Sequence, residues 1–380
     1  MVFSLISTRR DDMPGPGEGG NSTSPRRKKA FSGAAYDKAG GALYLPLANK
    51  GEWSSVMKTL SLFFAAIAIL CAAGTAPAQT FPSKAVRVIV QFPPGGTPDI
   101  YGRVMASELA KVWNQSVVVE NRTGASGNIG TDYVAKSPAD GYTLLFAADA
   151  PMAISPALFP GQLAYDPIKD FAPIVNVVQG GFVLMAHPSV PANNLKELIA
   201  LVQSQPGKWS YASSGAGGSQ HLAMEMIRSM GGKMDMAHIP YKGFGQALVD
   251  VLSGQVAMLF GGATASTSIV QSGKLKGIAI TSKNRGRMLP NLPTAAETLP
   301  GYEVLGWYAF FAPAAIPREL VRRINSDTVG IVRRPDFQER ALKDNLDVVG
   351  STPEELAAQL KADIEMWTKL VKIANVRAEQ

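Results

Sequence analysis

Val86-Arg87-Val88-Ile89-Val90-Gln91-Phe92-Pro93-Pro94-Gly95-Gly96-Thr97-Pro98-Asp99 is the stretch on which the reading of the fold turns. Its first seven residues are mostly β-branched or aromatic and read as a buried strand. The next residues open a helix: Thr97 can cap it, Pro98 suits its first turn, and Asp99 complements the positive end of the helix dipole. Gly95 and Gly96 put bare backbone at that helix start, where unpaired N–H groups can cradle an anion or merely form a tight turn. Beyond it Ile100, Val104, Met105, Leu109 and Val112 recur at helical spacing, which predicts one apolar face. Val117 to Glu120 then reads as the next strand, and strand, helix, strand is the signature of a parallel sheet in an α/β protein.

Working outward, further strands are expected at Tyr142 to Ala147, Phe182 to Ala186, Val256 to Phe260 and Gly277 to Ile280. Two more glycine-rich loops, Gly124 to Gly130 and Ser213 to His221, also stand between an apolar run and a helical pattern. Several such helix starts could converge on one anionic solute. At the other end, Thr352-Pro353-Glu354-Glu355 has the makings of a capping box. Leu356, Leu360, Ile364, Trp367 and Val371 follow it along one helical face. No repeat or long linker interrupts residues 80–380.

Composition fits a folded body. The chain has 380 residues, 46% hydrophobic, and its 37 glycines and 26 prolines stay below the fraction of about a quarter typical of low-complexity chains. The net charge of +7 is concentrated upstream. Nine basic and five acidic residues fall in 1–78, leaving 28 against 25 in the remainder, so nothing there calls for a nucleic-acid partner.

Met57-Lys58-Thr59, the 14 mostly apolar residues Leu60 to Ala73, and Ala76-Pro77-Ala78 have the basic start, apolar middle and small-residue exit of a secretory signal peptide. The apolar part is shorter than the roughly 20 residues that span a bilayer. Residues 57–78 are therefore expected to be a leader cleaved after Ala78, exporting the chain to the periplasm. Residues 1–56 read either as a start site assigned too far upstream or as a disordered prefix, and in neither case should they pack. Cys71, the only cysteine, lies within the leader after the bulky Leu70, so neither lipid anchoring nor a disulfide is expected.

Familiar enzymatic motifs do not match. The first loop lacks the third glycine of a dinucleotide fingerprint, no P-loop is present, and Ser219 lacks the flanking glycines of a nucleophile elbow. His187, His221 and His238 lack metal-ligand spacing and read as packing or hydrogen-bonding residues. Asp166 and Asp170 flank a proline and read as a turn. No catalytic residue, metal or cofactor is expected. Trp307 could wall a pocket but is by default a core residue, as are Trp209 and Trp367.

The chain resembles the Bug, or tripartite tricarboxylate transporter (TctC-like), family of periplasmic substrate-binding proteins. The likeness runs through Phe81 to Lys84, Phe92 to Asp99, Glu120 to Gly130, Ala139 to Leu144, Tyr165 to Pro173, Pro206 to Lys208, Tyr211 to Gly215, His221-Leu222, Tyr241 to Gly243, Leu292 to Thr294 and Phe311 to Pro313. It implies a two-domain, periplasmic-binding-protein-like α/β fold closing on a cleft. Domain 1 would comprise 79–180 with 304–380, and domain 2 would comprise 181–303. It also implies a monomeric, non-enzymatic receptor that captures a carboxylate and delivers it to membrane permease subunits. A sensor for a two-component system is the alternative, and a secreted serine hydrolase using Ser214 or Ser219 with His221 is a further one. Carried over position by position, the ligand would be met by Phe92, Pro94, Gly95, Gly96, Thr97, Ala147, Ala148, Ser214, Gly215, Gln220, Gly261 and Thr264. Where relatives often carry an Asp-Asn pair, this chain has Gly261-Gly262, which points to an acid without an amino group.

Overall fold

The computed structural model describes residues 54–55, 57–65 and 81–373. Residues 57–65 are helical and fall in a unit, Met1–Pro77, separate from the body Ala78–Gln380. Most of the upstream prefix, Cys71 and the expected leader exit at Ala76 to Ala78 lie outside the described residues. Among those described, no helix is long and apolar enough to cross a membrane.

The body begins as the sequence suggests. β1 (Val86–Val90) runs parallel to β2 (Val117–Asn121) and β3 (Thr143–Ala148), with Val88 opposite both Val119 and Leu144. α1 (Thr97–Trp113) and α2 (Asn128–Ala135) are the crossovers. The buried face of α1 is Tyr101, Met105, Leu109 and Trp113; Val112, expected on it, is half exposed, because a stripe through Tyr101 and Trp113 leaves position 112 facing water. Gln91 fastens the strand ends: its Nε2 donates to Thr131 Oγ1 (2.5 Å) and its Oε1 accepts from the Ala148 amide (2.9 Å).

After β3 come a helical turn, Ala150–Ile154, and α3 (Ser155–Leu158). β4 (Phe171–Ala186) then runs sixteen residues. Its first part, Phe171 to Gly181, pairs antiparallel with β9 (Leu305–Pro313). Its last part, Phe182 to Ala186, pairs with β7 (Met258–Gly262) and β8 (Lys276–Ile280). One strand therefore serves two sheet halves in the order β2-β1-β3-β9-β4-β7-β5-β6, where β5 is Trp209–Ser213 and β6 is Met236–Pro240. At the changeover a Cβ on Gly181 would sit 2.7 Å from the Ser282 amide, so the close approach of the returning chain requires glycine.

The second half carries α4 (Leu195–Ser204), α5 (Ser219–Met230), α6 (Phe244–Leu252) and α7 (Ala263–Gln271). Thr281 stitches the two places where the chain changes halves. Its amide donates to Phe182 O, its hydroxyl accepts from the Phe182 amide (2.7 Å) and donates to Val304 O, and its carbonyl accepts from the Val304 amide.

α8 (Arg318–Val332) and α9 (Pro335–Lys343) follow β9, and the short β10 (Asp347–Val348) pairs with β4. α10 (Pro353–Ile373) packs on β4 and on Ala150–Leu158. Its capping box forms: Glu355 N donates to Thr352 Oγ1 and Thr352 N to Glu355 Oε2. Leu356, Leu360 and Trp367 are buried against the core, as their spacing predicts. The result is a two-lobed α/β fold with its helices on both faces of a shared, curled sheet.

Candidate functional site

Each of α1, α5, α6 and α7 begins after a glycine, Gly96, Gly218, Gly243 and Gly262, and none of these starts carries a side-chain cap. All four glycines line one cavity where the two sheet halves meet, with Thr97, Pro98, Ser219, Gln220, Phe244 and Ala265 beside them. A fifth helical start, Asp149-Ala150, reaches it from the end of β3. First-turn N–H groups without an intrahelical partner thus gather from both halves, and with them the positive ends of the helix dipoles. Phe92, Pro93, Phe182 and Tyr308 supply apolar wall. The halves approach closely here: a Cβ on Gly262 would lie 2.4 Å from Thr97 Oγ1, and one on Gly243 2.8 Å from Pro93. Only glycine permits that approach.

Two polar groups distinguish the site. Thr97 is buried, and its hydroxyl has no hydrogen-bond partner among the described residues. Asp149 is also buried and accepts a 2.7 Å hydrogen bond from Ser219 Oγ of the opposite half. Loss of hydration pushes the Asp149 carboxyl up to about 7, against the pull of Ser219 and with a further push from Asp363. Asp149 is the one carboxylate among the lining residues, and none of them is Lys, Arg or His. The sequence reading missed it because Ala147-Ala148-Asp149-Ala150 has no motif and its burial depends on the far half.

The structure brings Phe92, Gly96, Thr97, Ala148, Ser214 and Gln220 to the cavity wall. The remaining sequence-derived positions sit elsewhere. Pro94 and Gly95 are exposed at the outer edge of the loop, and Ala147 points into the core on the other side of β3 from Ala148. Gly215 lies against Ser126 in an adjoining groove. Gly261 faces Ser266, Phe244 and Met185, while Thr264 lies one position before the lining Ala265. Trp307 is buried with its Nε1 bonded to Asp363 (2.8 Å), and its neighbour Tyr308 takes the wall position instead, as strand alternation requires.

The serines weighed as nucleophiles have other partners. Ser219 binds Asp149, and Ser214 Oγ donates to Gln220 Oε1 (2.8 Å). His221 Nδ1 accepts from the Gly217 amide, and its ring stacks on His238 at 4.0 Å. Seventeen residues apart in sequence, these two rings meet because β5 and β6 are in register at Tyr211 and His238, and Tyr211 stacks on the same ladder. Asp166 and Asp170 form the expected turn, with Asp166 N donating to Asp170 Oδ2.

The family model described as "Tripartite tricarboxylate transporter family receptor" matches residues 101–376. Protein BugT of Bordetella pertussis is 33% identical over 320 residues, 83% of this chain and 96% of that protein. The periplasmic binding protein BugD superposes with a TM-score of 0.75 at 34% identity, over 79% of this chain and all of that one. Rpa4515 of R. palustris, solved with adipate, gives 0.75 at 31% identity, over 78% and 99% of the two chains. The chain belongs to the tripartite tricarboxylate transporter receptor family, the solute-binding receptors of TctC and Bug type.

Proposed function

We propose that this chain is a periplasmic receptor that captures an organic carboxylate in the cavity described above and delivers it to membrane permease subunits. Residues 57–78 would direct export, and the mature chain would act as a monomer. The reading has residues 79–180 with 304–380 forming one lobe and 181–303 the other, the lobes closing on the solute. The observation that carries it is the convergence of four glycine-capped helix starts on one cavity free of Lys and Arg. Each such start favours an anion by about 0.3–1 kcal/mol, and by up to about 2 where water is excluded, so four at that upper figure sum to about 8 kcal/mol, the free energy of micromolar binding, without a buried cation. Release then needs no ion pair to be broken. The adipate bound by Rpa4515 supports the ligand class.

Thermal-shift and calorimetric screening of residues 79–380 against mono-, di- and tricarboxylates and aromatic acids tests this. A specific acid at 100 times its Kd should stabilise the protein by about 2.7 kcal/mol. A chain that binds no acid in the panel, or binds only uncharged solutes, is not such a receptor.

A further inference from the structure

Asp149 is an odd group to find in a seat for anions. It is buried, it lines the cavity, and it is the one carboxylate among the lining residues. Ser219 is its single side-chain hydrogen-bond partner among the described residues, donating to Oδ2 at 2.7 Å. The amides of Asp149 and Ala150 lean on the carboxylate more weakly, without forming a cap bond. Ser219 Oγ and these amides are all donors, so the ionised group presents to the cavity as an acceptor with lone pairs to spare. Tyr308 and Asp363, the titratable groups in its surroundings, offer no compensating cation. A ligand carboxylate placed there alone would meet like charge in a dry site, or would force Asp149 to take up a proton. A ligand hydroxyl or ammonium would complete its hydrogen bonding.

We propose that Asp149 sets specificity by selecting acids that carry a hydrogen-bond donor, a hydroxyl or an ammonium, beside the carboxylate. This rests on the carboxylate-receptor reading and narrows it. It also reverses the expectation drawn from Gly261-Gly262: the acceptor for a ligand donor comes from the first lobe, at the end of β3, rather than from the loop after Phe260. A site whose buried acceptor is left unpaired rejects the analogue lacking the donor, and a charge-assisted bond of this kind separates matched ligands by about 10- to 100-fold.

The test is calorimetric titration with matched acids: succinate against malate and aspartate, glutarate against glutamate, and adipate against 2-aminoadipate. The wild-type chain should bind the donor-bearing member of at least one series about 10-fold or more tighter than the plain one, with malate and aspartate separating hydroxyl from ammonium. Asp149→Asn, which keeps the shape, should compress that preference to within about threefold while leaving the circular dichroism spectrum unchanged. Should the variant fail to fold, the wild-type preference alone decides. Equal or tighter binding of the plain acids by the wild-type chain overturns the proposal, as does a preference that survives in a folded Asn variant. Absence of binding across every acid, including the wider panel, overturns the receptor reading itself and the proposal with it.

Discussion

Thr97 is buried at the first turn of α1, yet its hydroxyl meets no hydrogen-bond partner among the described residues. A buried hydroxyl left unpaired costs about 1–3 kcal/mol, so its retention needs a reason outside the folded chain alone. Thr97→Val keeps the shape and removes the hydroxyl. The thermal midpoint without ligand should hold or rise slightly, while affinity for the bound acid should fall about 3- to 10-fold. A variant that loses stability and keeps full affinity would show that the hydroxyl serves the fold.

The His221 and His238 rings brace the loop that leads into α5: His221 Nδ1 accepts from the Gly217 amide, and His238 Nε2 bonds Ser213 Oγ. Burial holds both well under the usual histidine range, at about 4. The Arg228 charge adds to this at His221, and the His221 charge does so at His238. The groups around them are Tyr211, Ser213, Glu225 and Arg228. In the unfolded chain each would titrate near 6.5, so the unfolded state binds more protons between those values. The pair therefore stabilises the fold fully above about pH 6.5, and that contribution is lost as pH falls toward 4. Asp149 moves the other way in the same window, since its raised value favours the protonated folded state. The measurement is thus a difference: between pH 7 and pH 4.5, wild type should lose about 1–3 kcal/mol relative to His238→Asn. Parallel pH profiles for the two would refute the assignment.

At the scale of elements, β4 and Thr281 hold the two halves in register. Thr281 is buried, and its side chain and backbone together bond Phe182 in β4 and Val304 just before β9. Thr281→Val leaves the Phe182 amide and the Val304 carbonyl short of a partner, so unfolding free energy should drop by about 2 kcal/mol, read from the denaturant midpoint. Unchanged stability would mean that both groups are resatisfied.

The same elements show what the sequence made legible. β1 and β2 announce themselves as β-branched runs, β3 and β8 as short apolar runs, and the amphipathic spacing of α10 is plain. The first part of β4 is disguised by Pro173 and Gly180-Gly181, tolerated because that stretch pairs irregularly with β9. β5 and β6 are Ser-, Ala- and His-bearing strands whose burial is tertiary and leaves little local period. β9 is a central strand because β3 and β4 pair with both its edges, while its alternate residues bury one face in each of the two cores, Trp307, Ala309 and Phe311 on one side and Tyr308, Phe310 and Ala312 on the other.

At the scale of the whole molecule, glycine spacing pointed to the loops but not to the depth of each residue. Phe92, Gly96, Thr97, Ser214 and Gln220 come to the cavity from loops visible in the sequence. Asp149, Gly243, Phe244 and Tyr308 come from segments with no loop signature, placed there by the approach of the second half. Contacts of that kind, such as Ser219 to Asp149 and Ser126 Oγ to Ala216 O (2.6 Å), depend on the relative position of two lobes, which no local window encodes. They are also what a closing solute would reinforce, provided that it binds the closed arrangement better than the open one.

The central claim is that backbone amides at converging helix starts hold the acid. Selective ¹⁵N-glycine labelling of residues 79–380, followed by titration with the tightest-binding acid from the panel, addresses those amides one by one. The account predicts saturable downfield shifts of the Gly96 and Gly262 amide protons, both with one dissociation constant. Saturation of binding with these resonances unmoved would contradict it.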